Sequence, residues 1–350
     1  MKAAFLNKPY EITVVEAPIP EPGPDQVVLK NMYLGVCTSD VQIYHGKHAY
    51  AKLTVTGEPQ IMGHEEAGIV YKVGSNVRDW KPGDRIILQP QLFCGECYPC
   101  RTGHFNVCEH LNVIGVHVDG CACEYTAVPA WNLHRLPDEV SFRQAALIEP
   151  IAVGFGVVRR INEVTDITGK TVCVVGAGTI GNLVAQACKA MGSGKVMITD
   201  ILQPKLDLAL ECGIDYAENT KDQTLAQAIE KCFGADKADI IVDSAANPFV
   251  FQSIMDAARK ASIVVLSGNY KEPVQLDVTQ IQRREITVLG HMMYLREEFD
   301  EGLQAIADGR LKIDGLITQE WTLDEYAEAF RYLDDHPADV VKMVVKIGEE

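Results

Sequence analysis

The feature that most constrains this chain is a glycine-rich turn set between an apolar strand and an amphipathic helix. The turn is Gly176-Ala177-Gly178-Thr179-Ile180-Gly181, and the run before it is Thr171–Val175. Beyond it, Val184, Ala187, Cys188 and Met191 recur at i, i+3, i+4 and i+7, the period of a half-buried helix. The first glycine permits a tight turn, the second lets backbone approach a pyrophosphate, and the third lets helix pack closely on strand. The helix N-terminus offers unpaired N–H groups and a partial positive charge to the phosphates. Asp200 ends the next apolar run, 19 residues after Gly181, where a carboxylate can accept from ribose hydroxyls. Ile201, Leu202 and Gln203 follow it, and none is basic. An aspartate without a basic neighbour repels a 2′-phosphate, so NAD is expected rather than NADP. The cofactor set is therefore Gly176, Gly178, Thr179, Ile180, Gly181 and Asp200.

The turn opens a series of short apolar runs alternating with helical patterns: Val196–Thr199, a helix from Pro204, Asp239–Val242, a helix from Pro248, Ser262–Leu266 and Ile286–Leu289. That alternation predicts an α/β segment, a parallel sheet covered on both faces. Upstream the pattern differs. Short β-type runs at Lys2–Phe5, Glu11–Glu16, Val27–Leu34, Ala67–Val73, Arg85–Leu88 and Glu124–Val128 are separated by turn signals such as Lys81–Asp84. They predict a β-rich domain. The character changes near Glu149. The tail carries helical stretches at Glu297–Ala307 and Leu323–Leu333 and a last strand-like KMVVKI. No internal repeat is present. With 350 residues, about two domains are expected.

Composition excludes some functions. Acids outnumber bases 48 to 32, a net charge of −16, which suits nucleic-acid binding poorly because phosphates need clustered Lys and Arg. No apolar run reaches the length of a membrane span, and the N-terminus has no signal-peptide pattern. A cytoplasmic location, with no nucleic-acid or membrane partner, is expected. The 11 cysteines, without a secretion signal, point to metal ligation and free thiols rather than disulfides.

Four of those cysteines, Cys94, Cys97, Cys100 and Cys108, fall within 15 residues. Four thiolates suit tetrahedral zinc, and a closed set has no room for substrate, so the site is expected to be structural. The spacing departs from the ferredoxin run, in which three residues precede the last Cys-Pro. A second constellation is dispersed: Cys37 in GVCTSD, His64 and Glu65 in GHEEAG, and Glu149 in ALIEP. Taken singly, each of these residues has an ordinary structural reading.

Together, GVCTSD, GHEEAG, the four-cysteine run, DGCACEY, ALIEP and VVGAGTIG resemble the zinc-containing medium-chain dehydrogenase/reductase superfamily. The branch most resembled is that of sorbitol, threonine and sugar-acid dehydrogenases. The resemblance implies a GroES-like catalytic domain over residues 1–152 and 291–350, interrupted by a Rossmann NAD-binding domain over 153–290. It implies that Cys37 and His64 hold a catalytic zinc, with Glu65 and Glu149 both at positions that donate an acidic ligand. Ser39 matches the hydroxyl that bonds the reacting alcohol, Asp40 an acid that orients a zinc ligand, and Lys342 a basic residue near the cofactor pyrophosphate. A solvent-facing strand lysine is the other reading of Lys342. A homodimer or homotetramer is expected.

The implied reaction moves hydride between NAD(H) and a secondary alcohol or ketone at the cleft between the domains. Zinc acts as Lewis acid and Ser39 handles the hydroxyl proton. A polyol, cyclitol or sugar acid is the expected substrate, with a threonine-type amino alcohol as the alternative. A non-catalytic cofactor-binding homologue is remote, because the zinc ligands are present. Three departures from the family pattern matter. Gln42 stands where relatives often place a relaying histidine, which leaves His45 as a candidate. Met292 and Met293 stand near the place of a substrate-binding arginine. Cys121 and Cys123 replace smaller or aromatic residues and read as packed thiols. His117, in GVHVDG, either faces substrate or is a loop residue without a role.

Overall fold

The computed structural model describes residues 1–349. Their contacts divide into two compact units, one of Met1–Glu149, Leu295–Leu303 and the run from Ile317, the other of Pro150–Tyr294 and Gln304–Leu316.

The first unit is built around the strand Gln26–Val36. Val27, Val28, Leu29, Met32 and Leu34 are all fully buried, so the strand reads apolar on both faces because it is covered on both. Its main sheet runs in the order Leu133–Arg135, Arg85–Leu88, Glu65–Val73, Gln26–Val36, Lys342–Lys346, Ile317–Thr322. Tyr125–Pro129 pairs with the first half of the central strand. The C-terminal end of that strand positions the chemistry. Gly35 sits opposite Glu65 on one side, and Val36 sits opposite Met343 on the other. One register therefore brings the residues before Cys37, the GHEEAG segment and the final strand side by side. Gly35 is required there, since a Cβ would collide with the Glu65 carboxylate and crowd Ala146 O.

The second unit holds a parallel sheet, six-stranded among the described residues. Its order is Tyr216–Asn219, Lys195–Asp200, Thr171–Val175, Ile240–Asp243, Ile263–Leu266, Thr287–Gly290. Strand order reverses beside Thr171–Val175, the switch point at which doubly wound sheets bind ligands. The helix Thr179–Ala190 buries Leu183, Val184, Ala187 and Cys188. Its third glycine permits the close packing, because a Cβ on Gly181 would overlap Gly176 O.

Several elements lacked a sequence signal. Tyr216–Asn219 and Ile317–Thr322 are edge strands, mostly half-buried, with polar residues interleaved. Thr38–Tyr44 is a helix of seven residues, too short to show a period. Ile148–Asn162 is a 15-residue helix starting at the point where the sequence changes character. No helix among the described residues is long and apolar enough to cross a membrane.

Candidate active site

The short helix Thr38–Tyr44 sets the first ligand. Cys37 is its N-cap, with extended backbone, and Asp40 is its third residue. Asp40 closes a capping box by accepting the Cys37 N–H at 2.9 Å. His64 ends the loop before the strand Glu65–Val73, and Glu65 is that strand's first residue. One donor atom from each of Cys37, His64 and Glu65 lies within 4.8 Å of the others. A thiolate, an imidazole and a carboxylate in that proximity suit zinc with an open fourth position.

The surroundings fit the same metal. The second Asp40 oxygen lies 3.5 Å from His64 Nδ1, the arrangement that orients a metal-bound imidazole through its other nitrogen. Ser39 Oγ stands 3.4 Å from His64 Nε2, on the ligand side. Asp40 is fully buried, and burial pushes its carboxyl pKa up. Burial alone would lower His64, but the charges of Asp40, Cys37 and Glu149 hold its pKa well above the ordinary imidazole range.

Lys342 is buried at 3% exposure, so the solvent-facing alternative does not hold. Its ammonium donates to Glu65 Oε2 and to Val36 O, the latter at 2.9 Å. Glu149 lies in the first turn of Ile148–Asn162. It is outside the group of three donors, although its charge acts on His64. His45 is held elsewhere, its Nε2 2.8 Å from Asp334 and its ring stacked on Tyr10 at 5.1 Å. Gln42 lies within the helix. His48 is a residue that the sequence did not single out, half-buried and acted on electrostatically by both His117 and His64. Its signal was weak because it lies 11 residues after Cys37, beyond the helix and outside any ligand spacing. Cys121 and Cys123 are buried, as packed thiols should be.

The four-cysteine loop closes on itself. Cys97 Sγ lies 3.4 Å from Cys100 Sγ and 3.8 Å from Cys108 Sγ, and Cys108 Sγ lies 3.5 Å from Cys94 Sγ. Thiolates about 2.3 Å from a tetrahedral zinc stand roughly 3.8 Å apart, so the sulfurs already have the spacing of a zinc site. All eleven cysteines are free. Burial works against the Cys97 thiolate, but the N–H groups of Cys100 and Glu109 outweigh it and bring the pKa down to about 6.

In the second unit the glycine turn has the form a dinucleotide requires. Gly176 adopts φ +99°, and the helix starts at Gly178 with no side chain capping its N–H groups. Asp200 accepts N–H bonds from Ala177, Ile201 and Leu202 at 2.8–3.0 Å. Beside it opens a cavity of about 550 Å³ lined by Gly176, Asp200, Ile201, Thr220, Thr224 and Asn247, among others.

Comparison with known proteins agrees with this geometry. The alcohol dehydrogenase GroES-like domain matches residues 23–138, and the zinc-binding dehydrogenase family matches residues 179–308. The chain is 30% identical over 332 residues to the sorbitol dehydrogenase of Bombyx mori, covering 93% of each. It is 31% identical over 337 residues to the L-threonine 3-dehydrogenase of Pyrococcus abyssi, covering 95% of each. Among solved structures, the Escherichia coli CFT073 alcohol dehydrogenase RspB, complexed with NADH, superimposes with a TM-score of 0.88. It is 30% identical and 99% of each chain is covered. A GroES-like domain joined to a doubly wound nucleotide-binding domain defines an oxidoreductase of the alcohol dehydrogenase class. The chain belongs to the zinc-containing medium-chain dehydrogenase/reductase superfamily.

Proposed function

We propose that this chain is an NAD-dependent, zinc-dependent dehydrogenase acting on a secondary alcohol or its ketone, with a polyol, cyclitol or sugar acid as substrate. The observation that carries the reading is the meeting of Cys37, His64 and Glu65 donor atoms within 4.8 Å, with the Ser39 hydroxyl 3.4 Å from the same imidazole. Cys37, His64 and an acid, Glu65 or Glu149, would hold one zinc; Cys94, Cys97, Cys100 and Cys108 would hold another. The catalytic zinc supplies Lewis acidity toward the substrate oxygen when bound. Ser39 accepts the proton of the substrate hydroxyl and passes it outward. Asp40 fixes His64 in one tautomer, and Lys342 neutralises and positions Glu65. The Gly176–Gly181 turn takes the NAD pyrophosphate on the N–H groups of its helix, and Asp200 takes the adenosine ribose.

The proposed catalytic domain spans residues 1–152 and 291–350 and the proposed nucleotide domain 153–290, although Gln304–Leu316 groups with the second compact unit; a cytoplasmic homodimer or homotetramer is proposed. The identity to an L-threonine 3-dehydrogenase supports a second reading, oxidation of an amino alcohol. A screen of polyols, inositols, aldonates and threonine, followed by NADH absorbance, tests both. Turnover of polyols supports the first reading, turnover of threonine the second, and turnover of none refutes both.

A further inference from the structure

Two short helices of the first unit share a buried face beside the candidate metal site. One is Thr38–Tyr44, which carries Asp40, and the other is Tyr326–Asp335. Three side-chain contacts fix how they lie. The Tyr44 ring packs on the Phe330 ring at 5.0 Å, and Phe330 packs on Tyr326 at 5.1 Å. His45, the C-cap of the first helix, stands 2.8 Å from Asp334. The contacts advance in the same direction along both helices: Tyr44 meets Phe330, then His45 meets Asp334. Four residues before Tyr44 stands Asp40, and four residues before Phe330 stands Tyr326. Side chains at i and i+4 lie on one face of a helix, so the same packing brings the Tyr326 phenol toward Asp40. Asp40, Tyr326 and Phe330 are all fully buried.

The polar ends of this pair are unfinished. The Tyr326 hydroxyl is enclosed without a hydrogen-bond partner among the described residues, and so is Asp40 Oδ1. That is the oxygen 3.5 Å from His64 Nδ1, while the other accepts the Cys37 N–H. A buried tyrosine hydroxyl normally finds a partner, and leaving it without one costs free energy. Asp40 acts on this hydroxyl electrostatically, ahead of Cys121 and Cys123. Thiols are weak acceptors, and Cys123 Sγ already stands 3.2 Å from both Thr126 Oγ1 and Tyr125 O. Asp40 is the strong acceptor of the three. Burial pushes the phenol pKa well above its ordinary value, so the hydroxyl stays a donor. Buried polar atoms that do not meet directly are commonly joined by one ordered water.

We propose that Tyr326 is a positioning residue for the metal site: its hydroxyl donates, across one ordered water, to the Asp40 oxygen that faces His64, and so holds the imidazole in its ligating orientation. Tyr326 acts through Asp40 alone. The proposal rests on the zinc reading of Cys37, His64 and Glu65 given above.

The test compares the full-length wild type with Tyr326→Phe, which removes the hydroxyl and keeps the ring. Competition with a chelator measures zinc affinity at the Cys37 site, and the visible spectrum of the cobalt-substituted protein reports the geometry of its ligands. Tyr326→Phe should weaken zinc binding about three- to tenfold, less than the loss of a direct partner of the imidazole, and should shift the cobalt bands. Tyr44→Phe removes a hydroxyl from the same packed face and should leave both readings at their wild-type values. In an Asp40→Ala background, Tyr326→Phe should change zinc affinity by less than about twofold, because the two act as one unit. Asp40→Asn takes its place if thermal unfolding shows that Asp40→Ala has not folded. Equal losses in both backgrounds, or cobalt bands unmoved by Tyr326→Phe, overturn the proposal. So does a wild-type crystal structure in which the hydroxyl is not joined to Asp40, a result that needs no variant. A wild type that binds zinc at the four-cysteine loop alone refutes the zinc reading itself, and the proposal falls with it.

Discussion

Asp40 has a different task for each carboxylate oxygen. One fixes the N-cap through the Cys37 N–H, and the other faces His64 Nδ1 at 3.5 Å. Because such an acid sets the orientation and basicity of a metal-bound imidazole, Asp40→Ala should weaken zinc binding about 10- to 100-fold. Competition with a chelator reads this directly, and wild-type affinity in the variant contradicts it. Ser39 and His45 diverge in the same way. His45 is committed to Asp334 and to an aromatic stack, so His45→Ala should change kcat by less than about tenfold. Ser39→Ala should lower it by about 10²- to 10⁴-fold, the usual range for a proton-transfer group. The reverse order of effects would make His45 the relay. Asp200 should set the preference for NAD. A hydrogen bond to a charged group is worth about 1.5–3 kcal/mol, or roughly 10- to 150-fold in kcat/KM. Asp200 also accepts three backbone N–H groups, so Asp200→Asn separates its charge from its structural bonds. Both Asp200→Asn and Asp200→Ala should narrow the gap between NAD and NADP, and an unchanged ratio would remove Asp200 from that role.

At the scale of elements, legibility followed sequence distance. The four-cysteine loop was readable because its donors lie within 15 residues, and the structure brings their sulfurs 3.4–3.8 Å apart. Cys97→Ser should therefore lower the Tm and reduce metal content from two zinc ions per chain to one. Cys37→Ser should abolish turnover in a chain that stays folded. Elemental analysis with thermal unfolding checks both, and one zinc in the wild-type protein would refute the pair. The glycine turn was readable for the same local reason. The helix Thr38–Tyr44 was not, although its cap is present in the sequence as Cys37 followed three residues later by Asp40. Cysteine is not among the usual cap residues. The edge strand Tyr216–Asn219 carries no continuous apolar run, so the alternation passed over it.

At the scale of the whole molecule, the contribution of one enclosed histidine to acid stability has a definite sign. His291, just after Thr287–Gly290, is largely enclosed, and burial together with the charges of Arg159 and Arg160 brings its pKa to about 4. The unfolded chain titrates near 6.5. Protonation therefore favours unfolding: this contribution is complete above about pH 6.5 and is lost as pH falls toward 4, about 3 kcal/mol in all. Thermal unfolding of wild type and His291→Gln across that range should give a flatter pH curve for the variant, and superimposable slopes would contradict it. The same contrast separates what sequence and structure each decide. The sequence by itself determined the nucleotide turn and the cysteine loop, because in each the partners are near neighbours along the chain, and it announced the parallel sheet through the alternation of short apolar runs with helical patterns. It named Cys37, His64, Glu65 and Lys342 through a resemblance, but not their contacts. Only the tertiary structure decided that Lys342 pairs with Glu65 and that a Glu65 oxygen lies within 4.8 Å of the Cys37 and His64 donor atoms. Those meetings depend on the register of Gly35 against Glu65 and of Val36 against Met343. Strand register is a long-range choice, set by the burial of whole faces rather than by any local spacing.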